Sequence, residues 1–214
     1  IQYADFAVWQ REWLEGGELA NQLDYWRTQL RDLPTEGVLA VGPRTTGVPV
    51  SCGNTTFPIP PELDRRLRAM ARQEGASMFM MMLAAFKLLL HRLSGSTDIV
   101  VGTPVANRHR SEIEGLIGYF VNHLVLRTRC AGNPTFRELL RQVREVTLAG
   151  YANQDVPFDR LVEEFKPPRD PGRNPLFQVC FAGQNTSSGK ASRPTGSDDT
   201  PSSFGVSGFS AMEA

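Results

Sequence analysis

Neither sign of charge is in excess: 23 Lys and Arg balance 23 Asp and Glu. Nothing electrostatic therefore recommends nucleic acid or an anionic membrane as a partner. Cysteine is scarce. Cys52, Cys130 and Cys180 lie far apart with no C-x-x-C pair, which argues against a zinc site or a disulfide framework and suits a reducing cytoplasm. Long hydrophobic runs are missing as well. The longest, Met78 to Leu90, is too short to span a bilayer and contains Lys87, so it reads as a buried helix. The segment Ile1 to Gln10 mixes Asp5, Trp9 and Gln10 without a basic start, unlike a secretory leader. It opens on Ile1 in a helical pattern, as an excised piece of a longer protein would. Histidine is limited to His91, His109 and His123, none at metal-ligand spacing, and no G-x-S-x-G, P-loop or G-x-G-x-x-G occurs. These absences leave no generic catalytic set, and no metal site is expected.

What is present is the patterning of a globular domain, since 214 residues with 41% hydrophobic content can build one substantial core. Tyr3, Phe6, Ala7, Trp13 and Leu14 share a helical face that Gly16-Gly17 should end. Leu19, Leu23, Trp26, Leu30 and Leu33 trace a second helix up to Pro34. Residues 35 to 51 read as a surface loop. A short strand is expected at Thr55 to Ile59. Pro60-Pro61 then opens a helix with the stripe Leu63, Leu67, Met70 and Ala71, ended by Gly75. Ser77 should cap a helix from Met78 to Leu93 whose apolar residues surround the axis, implying burial on several sides. Asp98 to Val105 reads as a central strand. Tyr119 to Arg129 reads as a longer one, with Phe120, Asn122, Leu124 and Leu126 on one face and Val121, His123, Val125 and Arg127 on the other. A helix from Pro134 through Val146, a shorter one near Pro157 and a last strand at Leu176 to Phe181 complete the set. This irregular alternation predicts an α/β fold, a mixed sheet covered by helices. Asn185 to Ala214 is dominated by Ser, Gly, Thr and Pro and is expected to be a disordered, low-complexity tail, which sets the domain limits at 1–184 and 185–214.

Polar residues in apolar surroundings mark the candidates for function, each with a plainer structural reading beside it. His91 at a helix end and His123 between Val121 and Val125 read as packing, and His109 sits in a charged run that is a solvated loop by default. Asn122 interrupts an apolar strand, either as a core amide with its own partners or as a residue turned to a substrate. Gln154 and Asp155 precede Val156-Pro157-Phe158, where Asp155 could cap a helix. Arg169, Asp170, Arg173 and Asn174 occupy a Pro-rich loop that internal ion pairs could hold.

At these same clusters the sequence resembles the condensation domains of nonribosomal peptide synthetases. Tyr3-Ala4-Asp5-Phe6-Ala7-Val8-Trp9-Gln10 resembles their Y-x-D-F-A-x-W-Q motif, and Val101 to Arg108 their G-x-P-x-A-x-R strand and loop. Ile117-Gly118-Tyr119-Phe120-Val121-Asn122 is similar to I-G-x-F-V-N, and Asn153 to Asp159 to H/N-Q-D-x-P-F-E/D. Arg169 to Phe177, with Arg173-Asn174-Pro175 inside it, is similar to R-D-x-S-R-N-P-L-F. Five motifs in the family's order make a specific match from Tyr3 to about Gln184. The departures are His123 where Thr is usual, Gly172 for the common Ser, an atypical stretch from Glu36 to Cys52, and a tail that loses the pattern. The family's His-His-x-x-x-Asp-Gly belongs upstream of Tyr3 and does not occur in these residues.

The resemblance implies two chloramphenicol-acetyltransferase-like lobes forming a V with the active site between them, this chain being most of the second lobe. It implies amide-bond formation between substrates held as thioesters on phosphopantetheine arms, with no cofactor bound directly. The implied partners are the upstream lobe, peptidyl carrier proteins and an adjoining adenylation domain. No catalytic residue is expected in the chain itself. Asn122 and Gly118 would line the substrate tunnel, and Arg108 would pair with the Asp of the upstream motif. Trp9, Gln154, Asp155, Arg173, Asn174 and Pro175 would shape the lobe and its loops. The alternatives are an inactive half-lobe that at most docks a carrier protein, or an epimerisation domain of the same fold, which the Q-D-x-P-F and R-N-P-L-F runs disfavour.

Overall fold

The computed structural model describes residues 1–34, 55–168, 173–183 and the backbone of 204–208. Helices α1 (Tyr3–Trp13) and α2 (Leu19–Gln29) are joined by a wide π-turn, Leu14–Glu18, in which Gly17 takes φ 111. The glycine pair thus bends the chain and lets it continue, at a φ that residues with a Cβ rarely adopt. Of the first helical face, Phe6 and Leu14 are buried while Ala7 is exposed. Trp26 on α2 is fully buried, and its indole N–H donates to the Asn153 carbonyl at 2.9 Å.

Helix α3 (Pro61–Gln73) starts with proline at its first turn, and Gly75 beyond it takes φ 61. Helix α4 (Met78–Ser94) is capped by Ser77, whose hydroxyl accepts from the Met80 N–H at 3.2 Å. Burial on this helix is narrower than its composition suggests. Met81, Leu83, Ala84 and Leu90 are buried, whereas Leu89 and Leu93 remain 51% and 68% exposed. Among the described residues no single helix is long and apolar enough to cross a membrane. The strand expected at Thr55 to Ile59 is not one. Phe57 is 74% exposed there, and Pro58 and Pro60 have no N–H to give a ladder.

The sheet is mixed, in the order β2-β1-β3-β4. Strand β1 (Asp98–Val105) has the bounds its Val/Ile pattern gives, and it pairs antiparallel with β2 (Asn122–Arg129) and parallel with β3 (Val179–Gly183). Strand β2 begins at Asn122 and not at Tyr119, because β1 ends at Val105 opposite Asn122 and offers no further partner. Strand β3 likewise begins at Val179, later than Leu176. A correction falls on the tail: Phe204–Gly208 forms strand β4, antiparallel to β3, inside a stretch expected to be disordered. The backbone groups of β3 on that edge supply the pairing that composition alone does not show. The other residues of the expected tail, the loop at 35–51, Cys52, Arg169, Asp170 and Gly172 lie outside the described residues.

Between β1 and β2 the chain forms the short α5 (Ser111–Glu114). Helices α6 (Phe136–Ala152) and α7 (Phe158–Phe165) follow β2. The expected start of α6 at Pro134 shifts slightly, since Thr135 is its N-cap and accepts from the Glu138 N–H at 3.3 Å. The core joins Trp26 and Leu30, the buried residues of α4, the inner residues of β1 and β2, Leu139 and Leu140 of α6, and Phe177 and Phe181. Gly102 in the middle of β1 is where the Phe177 ring sits; a Cβ there would come within 2.3 Å of it. Gly102→Ala should therefore lower stability by about 1–3 kcal/mol, and Phe177→Ala in the same chain should make the added methyl harmless. Urea melts of the single and double variants measure this. An unchanged midpoint for Gly102→Ala would show that the ring is not seated there.

Candidate functional site

The end of β1, the start of β2, α1 and the turn before α7 meet at one edge of the sheet. Tyr3 donates its hydroxyl to the Tyr119 carbonyl at 2.9 Å, and its ring lies over Gly118, where a Cβ would approach to 2.3 Å. The close approach that Gly118 permits is therefore that of the Tyr3 ring. Tyr3 also meets Phe120 edge-on at 5.1 Å, and Phe6, Ile113 and Phe120 form a small apolar cluster separate from the main core. Trp9 packs at the border of that cluster, stacked on Trp13 at 5.6 Å and covered by the Arg110 guanidinium at 4.3 Å.

Arg108 is half-buried and already engaged within the chain. Its guanidinium donates to the carbonyls of Ile113 at 2.6 Å, Glu114 at 3.1 Å and Gly118 at 3.4 Å, and lies 4.0 Å from the Phe120 ring centre. It holds the end of α5 against the segment that leads into β2. It is neither a loose surface charge nor, among the described residues, paired with a carboxylate. The preceding residue, Asn107, has φ 51, a left-handed turn that asparagine tolerates.

Asn122 is buried and spends its amide on the turn before α7. Its Nδ2 donates to the carbonyls of Gln154 and Val156, each at 2.8 Å, and its Oδ1 accepts from the Phe158 N–H at 3.0 Å. Gln154 thus takes part through its backbone. Asp155 does not cap α7, whose N-cap is Pro157 without a side-chain bond. It accepts instead from Gln22 Nε2 at 3.0 Å, its own N–H donates back to Gln22 Oε1 at 3.1 Å, and its Oδ1 lies 3.6 Å from His109 Nε2. Gln22 is the buried polar residue of α2, and its position within the Leu19, Leu23, Trp26 stripe is the sequence signal that could have found it.

His91 Nδ1 pairs with the Ser96 carbonyl at 2.7 Å, and the half-buried His123 packs against Phe158 and Phe177. Burial pushes the His123 imidazole below its usual value, which favours its neutral form. Asn174 shapes the entry to β3: its Oδ1 accepts from the N–H groups of Leu176 at 3.1 Å and Phe177 at 3.3 Å. Arg173 and Pro175 are exposed beside it. A polar group that sequence reasoning does not single out for function is Lys87, fully buried on α4, whose Nζ donates to the Leu126 carbonyl and the Thr128 hydroxyl, both at 2.7 Å.

Two clefts open on this edge. The first, about 350 Å³, is lined by Tyr3, Phe6, Tyr119, Phe120, Asn122 and His123 together with Asp155, Phe158 and Asp159. The second, about 470 Å³, is lined by Pro104, Val105, Ala106, Arg108, His109, Tyr151 and Gln154. Asn107 lines both. Gly118 and Arg108 are not on the wall of the first cleft, although they support it.

The sequence profile of the family described as "Condensation domain" matches residues 1–213. One polypeptide of the linear gramicidin synthase of Brevibacillus parabrevis is 49% identical over 191 residues, which cover 86% of this chain and 4% of that protein. A dimodular nonribosomal peptide synthase of Bacillus subtilis (strain 168) is 44% identical over 192 residues, covering 87% of this chain and 8% of its own length. Among solved structures, the X-domain from teicoplanin biosynthesis superposes with a TM-score of 0.77 at 28% identity, over 84% of this chain and 41% of its own. The chain thus spans a small part of these curated relatives and less than half of that structure.

Proposed function

The chain belongs to the condensation-domain family, whose general reaction is amide-bond formation, and from that premise we propose that it forms one side of an acyl-transfer cleft. In that reaction an acceptor amine attacks a donor thioester carbonyl, the C–N bond forms, the C–S bond breaks, and the thiol leaves with the proton. Convergence is the observation that carries the reading. Tyr3, Asn107, Phe120 to His123, Asp155 and Pro157 to Asp159 come from four separate motifs and line a single cleft. The carrier arm would supply the thioester and two amide groups. This chain's residues fit such a group in one respect: Asn107 Oδ1 is a buried acceptor without a partner among the described residues.

The roles follow from the contacts. Asn122 holds the start of β2 to the 154–158 turn, and Tyr3 on Gly118 holds α1 to the segment before β2, which keeps bound reactants oriented. Arg108, anchored on three carbonyls, would pair through its remaining donors with the Asp of an upstream catalytic motif. The proposed partners are that upstream lobe, peptidyl carrier proteins and an adenylation domain, in the cytoplasm. The free buried thiols of Cys130 and Cys180 suit that compartment.

The test is amide formation from two loaded carrier proteins. The 214-residue chain alone should form none, while the chain joined to an upstream lobe bearing His-His-x-x-x-Asp-Gly should turn over. Turnover by the chain alone, or none by the joined protein, would remove the reading. In the joined protein Arg108→Lys should slow the reaction roughly tenfold or more, since one ammonium cannot span the carbonyls and a carboxylate together. Arg110→Lys, altering only the group over Trp9, should leave the rate near native. Equal rates for both would strip Arg108 of its role.

A further inference from the structure

Asn107 is 8% exposed, yet its side-chain oxygen is the one buried side-chain polar atom without a hydrogen-bond partner among the described residues. A desolvated acceptor left unpaired is unfavourable, and native chains rarely keep one without a use for it. Its surroundings are specific. Asn107 is held by its left-handed backbone at the end of β1, between the two clefts. In the second cleft, Pro104, Val105, Ala106 and Tyr151 offer apolar surface. Methylene groups suit that apolar surface, and an N–H donor suits the oxygen beside it.

We propose that Asn107 is a binding residue for the carrier arm, its Oδ1 accepting a hydrogen bond from an amide N–H of phosphopantetheine lying in the second cleft. This inference rests on the functional reading above. Rotation about the Cα–Cβ and Cβ–Cγ bonds is the motion that presents the oxygen to the arm. The residue positions the arm and takes no part in bond making.

The probes are free phosphopantetheine and an analogue in which ester oxygens replace both amide N–H groups, titrated into the 214-residue chain and followed by the backbone amide signals of Arg108 and His109, which wild type and variants share. The wild type should bind the amide form roughly threefold to tenfold more tightly, the worth of one neutral hydrogen bond. Asn107→Gly keeps the left-handed backbone and should lose that preference, whereas Asn107→Asp retains an acceptor and should keep it. Equal affinity for both probes, a preference that survives in Asn107→Gly, or no binding of either probe to the wild type would overturn the assignment. Amide formation by the joined protein separates the two claims. Turnover without the probe preference sinks the Asn107 role alone, and the preference without turnover sinks the functional reading alone.

Discussion

Asn122→Asp should destabilise the chain by about 3–5 kcal/mol, the range for stranding a buried charge or breaking its hydrogen bonds. The Nδ2 group now gives one proton to each of two carbonyls, Gln154 and Val156, at 2.8 Å. A carboxylate oxygen in its place would face both carbonyl oxygens with no proton between them. Protonating the acid would satisfy only one. Asn122→Ala removes the same donors but leaves room for water from the adjoining cleft, so its loss should be smaller, roughly 2 kcal/mol. Urea denaturation of the two variants gives the order. If both are as stable as wild type, the amide does not clamp the turn before α7, and a role facing substrate becomes the better account of this residue.

The second large effect is a pH dependence set by Lys87. Burial is the main influence and pushes its ammonium down from 10.5 to about 7, against the opposing pull of Cys130 and Asp98. In the unfolded chain the amine keeps its ordinary value. Below pH 7 both states are charged and the folded one bears the full desolvation penalty. Between about 7 and 10.5 the unfolded chain binds the extra proton, so folding stability rises with pH, by as much as about 5 kcal/mol. Lys87→Met removes this contribution. From pH 6 to pH 10 the stability difference between the two proteins should move by roughly 3–5 kcal/mol in favour of wild type. The comparison cancels most of the shared titrations; the Cys130 thiol, which burial pushes up and Lys87 pulls down, does not cancel fully, and its effect has the opposite sense. A constant difference across that range would mean that Lys87 titrates in the folded chain as it does in water.

The features legible in the sequence are those that a residue shares with neighbours a few positions away. The helical stripe of α2, the Ser77 cap, the turn at Gly75 and both ends of β1 follow from local spacing and local hydrogen bonds, because a 3.6- or 2-residue period records which side of one element is dry. The motifs that carry the family resemblance are likewise short runs. Tertiary structure alone decided where pairing stops and what polar groups find. Strand β2 loses its first three expected residues because β1 ends opposite Asn122, and Phe204–Gly208 becomes a strand because β3 has an edge to fill. The neighbours of Asp155 make it look like a helix cap, yet Gln22, 133 positions away, takes its hydrogen bonds. In the sequence Lys87 only argues against a membrane span; inside the fold it is a buried donor to β2. Such partners are set by where the chain returns. A local pattern carries no record of that, since the gain from satisfying a buried polar group depends on the group it meets and not on its place in the sequence.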